Sequence, residues 1–205
     1  MDRRVRPAGE PGWTRGGLLR AALGGGAVVA GGAALAARTD DGVSLAAQSK
    51  DADAKILNFF LLLEYVQEGF YREAVRSGAL TGDLLTFATT VGEQETEHVA
   101  FLEQRLGERA DARPTLSFGD AASTPERFRR TAIDLEEAAL AGYIGQGANL
   151  SRETVRSVAT LVSVEARPAA WVRDLAGVSP APRAADPARK AERVMADLRG
   201  RGFVE

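Results

Sequence analysis

The feature that most limits what this chain can fold into is an internal repeat. Leu63–Glu64, followed seven residues later by Tyr71, recurs as Leu135–Glu136 followed seven residues later by Tyr143. Glu95, Phe101 and Gly107 recur as Glu165, Trp171 and Gly177. The offsets are 72 and 70 residues, so an entire two-element unit is duplicated. Apolar residues in both copies follow helical spacing, and β-branched alternation is absent. A helical hairpin cannot bury its apolar face alone, whereas two copies closed on each other make a four-helix bundle.

The first helix is predicted from about Asp51 to Ser77. Its "ILNFFLLLEYVQEGFY" is apolar on most sides, as befits a helix packed by several neighbours, and Gly78 can end it. The second is predicted over about 81–106, with the stripe Leu84, Ala88, Val91, Glu95, His98, Leu102 and Arg105 or Leu106. The aperiodic "ERADARPTLSFGDAAS" follows; at roughly 3.3 Å per residue it can run the length of a bundle as a crossover. "STPE" (123–126) combines a Ser/Thr cap, a first-turn proline and a glutamate placed to close a capping box. It opens a third helix over about 125–147. Ser151 caps a fourth, over about 152–176, with the stripe Val158, Leu161, Glu165, Pro168, Val172 and Leu175. After a proline-rich stretch, Asp186–Pro187 opens a short final helix with Ala191, Val194, Met195 and Leu198 on one face.

The glutamates on these stripes share one level. Glu64 and Glu95 lie about fifteen residues on either side of the first turn, and Glu136 and Glu165 are about as far from the second. Antiparallel helices rise equally per residue, so all four carboxylates meet in one core layer. Four ionised carboxylates in a low-dielectric layer repel and lack solvation, whereas two divalent cations would balance their charge. In "ETEH" (95–98), Glu95 and His98 are three residues apart on one helix face and can grip one ion together. The candidate metal ligands are therefore Glu64, Glu95, His98, Glu136 and Glu165. Glu68 and Glu137 adjoin the pattern as supporting or surface residues, and Glu93, Glu97 and Glu103 point off the stripe. Tyr71 and Tyr143 are either neighbours of the metal or core residues with a buried hydroxyl partner.

Residues 51–177 resemble the ferritin-like superfamily, and most of all the exported bacterial ferritin-like domain proteins that include desiccation-related ones. The resemblance implies an all-α, ferritin-like four-helix bundle with a short C-terminal helix, and a dinuclear iron or manganese site. Its ligands would be a glutamate on each of the first and third helices and Glu-x-x-His on the second and fourth. Glu64, Glu95, His98, Glu136 and Glu165 match that pattern, and Pro168 stands where the second histidine belongs. An interior proline removes a helix hydrogen bond and costs about 3 kcal/mol. Losing a neutral imidazole leaves the charge balance intact but deprives one ion of a nitrogen donor. Carboxylate-and-water coordination then favours a hard ion such as Mn²⁺ over Zn²⁺. Arg167 lies too far around the helix to replace the histidine unless the helix bends there.

Composition removes other chemistries. The 205 residues include no cysteine and a single histidine, so thiolate sites and multi-histidine cages are excluded. Net charge is −2, and no basic block stands outside the N-terminus, which argues against nucleic-acid binding. No Ser-His-Asp set or phosphate loop is apparent, and no catalytic residue is assigned. Residues 1–37 read as an export signal peptide: arginines, then the apolar, glycine-diluted "LGGGAVVAGGAALAA", with small residues at 34–36. "TRGGLLR" (14–20) resembles a twin-arginine motif with Gly16 in place of the second arginine. Residues 38–50 read as a linker, and 178–205 as the proline-rich segment with the final helix. The expectation is an exported protein of the cell envelope or extracellular space, touching a membrane only through an uncleaved N-terminus.

Three functional readings are compatible with these residues. In the first, a degenerate carboxylate site binds Fe or Mn, as one ion or two, in iron handling or in oxidative or desiccation stress. In the second, the bundle is metal-free and structural or stress-protective, its carboxylates protonated or paired with arginine. In the third, it is an envelope binding module. A homo-oligomer is compatible with each.

Overall fold

The computed structural model describes residues 50–205, so the export signal, its cleavage pattern and most of the linker lie outside the described residues. Four long helices form two hairpins: α1 (Lys50–Ser77) with α2 (Gly82–Leu106), and α3 (Pro125–Gly147) with α4 (Arg152–Leu175). A 3₁₀ turn, Gly107–Arg109, leads into the crossover, and a short α5 (Ala191–Gly200) closes the chain. α1 packs most extensively on α2 and α3 on α4; α1 also meets α3, α2 meets α4, and α5 rests on α3. The fold is all-α, as expected, and the one β-bridge among the described residues joins Leu116 to Val204.

α1 is the central helix. Every residue from Leu63 to Tyr71 is buried, because the crossover covers the side that α2 and α3 leave open. Gly69 permits this: a Cβ there would stand 2.8 Å from Leu116 Cδ1 and 3.3 Å from the Phe118 ring. Phe118 in turn packs on Phe70 and Phe203 at ring separations of 5.7 and 5.3 Å. The C-terminal residues therefore clamp the crossover onto α1, and the Ser117 amide donates to the Phe203 carbonyl at 3.2 Å.

A polar tie joins the hairpins at one end. Buried Asp53 of α1 accepts from the Ser151 amide at 2.9 Å, from the Ser151 hydroxyl and from the Thr154 hydroxyl. Ser151 also caps α4, its hydroxyl accepting from the Thr154 amide at 3.3 Å. One carboxylate of α1 thus fixes where α4 starts.

Two sequence expectations need correction. The cap of α3 is Thr124, which accepts from the Arg127 amide, so Glu126 falls one position short of the capping-box site. The final helix begins at Ala191, not at Asp186–Pro187. The Arg189 amide donates to the Ala141 carbonyl of α3 at 2.9 Å, which holds this stretch extended against α3. Gly145 allows the approach, since a Cβ there would lie 2.0 Å from the Arg189 carbonyl oxygen.

Candidate metal centre

Each long helix delivers its glutamate to the middle of the bundle. Glu64, Glu95, Glu136 and Glu165 are all 0% exposed, and His98 is 7% exposed. The shared level deduced from the turns is therefore a shared layer. His98 follows Glu95 by three residues on the same face of α2, and its Nδ1 points into the ring of carboxylates. Nδ1 lies 2.9 Å from Glu95 Oε2, 2.9 Å from Glu165 Oε1 and 3.3 Å from Glu64 Oε2. One ligand atom from each of Glu64, Glu95, His98 and Glu165 falls within 4.8 Å of the others. Glu136 stands outside that set, close enough to Glu165 for their charges to interact.

Two tyrosines brace the ring crosswise. Tyr143 of α3 donates to Glu64 of α1, and Tyr71 of α1 donates to Glu136 of α3. The repeat thus reproduces a hydrogen bond as well as a residue pattern. Phe60 stacks on Tyr143 at 4.1 Å, and Phe87 and Phe128 pack edge-on against Tyr71 at 5.7 and 6.1 Å. These rings hold the phenols in place and exclude water from the layer.

Burial governs the electrostatics. Glu95 is raised well above the ordinary carboxylate range by burial and by the charges of Glu165 and Glu64. Glu136 is pushed up to about 8 by burial and the Glu165 charge, against the pull of Tyr71 and Gln67. Glu165 is pushed up to about 7 by burial and the Glu64 charge, against the pull of His98. Burial alone would lower His98, but its contacts with Glu165, Glu64 and Glu95 outweigh that and raise it to about 12. Burial and the adjoining Glu136 and Glu64 raise Tyr71 and Tyr143 well above 10, so both phenols stay protonated and donate.

The donor set fits a divalent cation. Glu95 Oε1, Glu136 Oε2 and Glu165 Oε2 are buried without a hydrogen-bond partner, while Glu64 Oε2 and Glu165 Oε1 share the single Nδ1 of His98 with Glu95. Buried polar atoms are nearly always satisfied, so this many orphans in one layer need an explanation. Carboxylate oxygens around one imidazole nitrogen suit first-row divalent ions, and a cation would satisfy several orphans together. Among the described residues no arginine or lysine pairs with these four glutamates. The expected alternative of arginine compensation is therefore not what balances the layer.

The neighbouring acids sort as the periodicity predicts. Glu68 pairs with Arg72 at 3.0 Å and with Arg113, and Glu137 pairs with Arg173 at 2.5 Å. Glu93, Glu97 and Glu103 are exposed. Pro168 is buried within an unbroken α4, one turn after Glu165, and Arg167 is exposed. Sequence reasoning passed over Gln67, which is 1% exposed and turns its amide toward Glu136 and Glu165 without a well-formed hydrogen bond to either. Its signal was available: Gln67 follows Glu64 by three residues, the spacing that singled out His98 after Glu95.

Outside the layer, two repeat-equivalent grooves end on the bracing tyrosines. The α1/α2 groove, about 220 Å³, has Tyr71 at its floor and Arg72, Thr89, Glu93 and Thr96 around it. The α3/α4 groove, about 330 Å³, has Tyr143 at its floor and Ile144, Val155, Val158 and Val162 around it. The walls of the two grooves differ, while each ends on a tyrosine that holds a buried glutamate.

No curated protein matches the chain. The ferritin-like domain family matches residues 52–178, which spans all four long helices and every glutamate of the buried layer. By fold, by repeat and by that match, the chain belongs to the ferritin-like domain family.

Proposed function

We propose that this protein binds iron or manganese in an asymmetric carboxylate centre and uses it in iron handling or in defence against oxidative or desiccation stress. The observation that carries the proposal is His98 Nδ1 ringed by three buried carboxylates, with unpartnered carboxylate oxygens in the same layer. Glu64, Glu95, His98 and Glu165 would hold the principal ion. Such an ion would supply one-electron chemistry toward dioxygen or peroxide.

The residues of the chain do the rest. Protons on His98 and on the raised carboxylates compensate the layer without metal, and a cation entering it displaces them. Tyr143 and Tyr71 each hold one oxygen of Glu64 and Glu136, leaving Glu64 Oε2 facing His98 and Glu136 Oε2 without a partner. The phenylalanines around them keep bulk water out. The apolar groove over Tyr143 offers a small neutral oxidant a surface near the centre.

The decisive experiment is metal analysis of the full chain after anaerobic reconstitution with Fe²⁺ or Mn²⁺. The expected result is at least one ion per chain, lost in His98→Ala. A chain that retains neither metal would remove the proposal. A metal-free structural role is then the second reading, favoured by a layer that protons already compensate. Its mark would be a pH-dependent melting temperature that neither metal nor chelator changes.

Export belongs to the same proposal, supported by the arginines and the glycine-diluted apolar run of residues 1–37. A fusion of residues 1–50 to a reporter active only outside the cytoplasm tests it; an inactive reporter would contradict it.

A further inference from the structure

Gln67 is not among the four residues whose ligand atoms gather at His98. It lies on α1 one turn beyond Glu64, is 1% exposed, and its amide faces Glu136 and Glu165 without a well-formed hydrogen bond to either. Beside it stand Glu136 and Glu165, which between them offer two unpartnered oxygens, Glu136 Oε2 and Glu165 Oε2. This is also the half of the layer without an imidazole, because Pro168 occupies the position equivalent to His98.

The donors of the layer are already committed. Tyr143 donates to Glu64, Tyr71 to Glu136, and His98 to Glu95. The Gln67 NH₂ can turn toward Glu136 or Glu165, and once those carboxylates are ionised they have no proton to give, so the amide carbonyl oxygen then meets only other acceptors. A cation that displaces the carboxylate protons engages the amide oxygen and the carboxylate oxygens together. An amide carbonyl is a neutral oxygen donor of the kind hard divalent ions accept.

We infer that Gln67 Oε1, with Glu136 and Glu165, forms a second cation position, taking over the role of the imidazole absent at residue 168. This rests on the proposed metal centre, because Glu165 is shared between the two positions. The pair is chemically unequal: one position has carboxylates and a nitrogen, the other oxygen donors alone. The second position takes a hard divalent ion such as Mn²⁺.

The test is a titration of the metal-free full chain with Mn²⁺, following free Mn²⁺ by electron paramagnetic resonance. The wild type is expected to bind two ions. Gln67→Leu is expected to keep the first affinity and weaken the second at least tenfold, with its helical circular dichroism unchanged. Two ions bound by Gln67→Leu with wild-type affinities would overturn the inference. One ion in the wild type, lost in His98→Ala and kept in Gln67→Leu, would overturn it while leaving the proposed function standing. No ion in the wild type would overturn both. Should Gln67→Leu fail to fold, Gln67→Glu decides: a second ion bound at least tenfold more tightly supports the role, and unchanged binding overturns it.

Discussion

The Tyr143 hydroxyl donates a hydrogen bond to Glu64 from the opposite hairpin, and both side chains are fully buried. Tyr71 and Glu136 repeat the pairing in the other direction. Each hairpin therefore positions a carboxylate of the other, which locks the two copies of the repeat in register.

Removing one of these hydroxyls tests the brace. Tyr143→Phe strips Glu64 of its donor and leaves another buried oxygen unsatisfied, a loss of about 1–3 kcal/mol. Tyr71→Phe should cost about as much, because Glu136 is equally buried. Urea denaturation of the metal-free variants measures both. A change near zero for each would mean that the phenols are packing groups only.

The metal-free protein should lose stability as pH rises. Glu165 and Glu136 are raised to about 7 and about 8 from an ordinary 4.5, so the folded state binds more protons than the unfolded one. The stability they contribute is complete below about 4.5 and is lost as pH climbs through 7 and 8. His98, raised from 6.5 to about 12, acts with the same sign: its contribution is complete below 6.5 and declines above it. The melting temperature with chelator should therefore be lower at pH 8.5 than at pH 5.5. Saturating Mn²⁺ should shrink that difference, because cation binding needs deprotonated ligands and strengthens with pH. Scanning calorimetry in the two buffers reads the slope, and a rise with pH in chelator would contradict the buried-charge account.

Asp53→Ala should destabilise the fold by about 2 kcal/mol, since it orphans the Ser151 amide and two hydroxyls at the start of α4. Burial alone would raise Asp53, but hydrogen bonds from Ser151 and Thr154 outweigh it and hold the group below its usual 3.8. Its contribution is present above that value and lost as pH falls through the depressed one. Equilibrium denaturation at pH 7 and pH 3 separates the two cases: the deficit of the variant should be smaller at pH 3.

Pro168→Ala should stabilise the metal-free protein by up to about 3 kcal/mol, by restoring a backbone donor inside α4. Pro168→His should go further in one respect only, holding a second Mn²⁺ at least tenfold more tightly than Pro168→Ala does, because it adds a nitrogen donor one turn after Glu165. Comparing the two by thermal melting and Mn²⁺ titration separates backbone repair from ligation. Equal metal binding by both would show that residue 168 does not face the cation.

Much of this was legible in the chain. The periodicity of α2 and α4 placed Glu95, His98, Glu165 and Pro168 on buried stripes, and each is buried. Equal distances from the turns placed the glutamates at one level, because helical rise is fixed by backbone hydrogen bonding and needs no knowledge of neighbours. Helix ends were harder where they depended on a distant partner. The start of α5 is set by a bond from Arg189 to Ala141, which no local pattern announces.

By itself, then, the sequence determined four helices, their duplication, the carboxylate layer and the single imidazole within it. All of these follow from spacing along one helix or from symmetry between two. Only the tertiary structure decided that Tyr143 reaches Glu64 and Tyr71 reaches Glu136, that Asp53 ties α1 to α4, and that the Gln67 amide faces Glu136 and Glu165. Those relationships join residues far apart in the chain. They depend on how one helix is rotated and shifted against another, which core packing fixes and residue spacing does not.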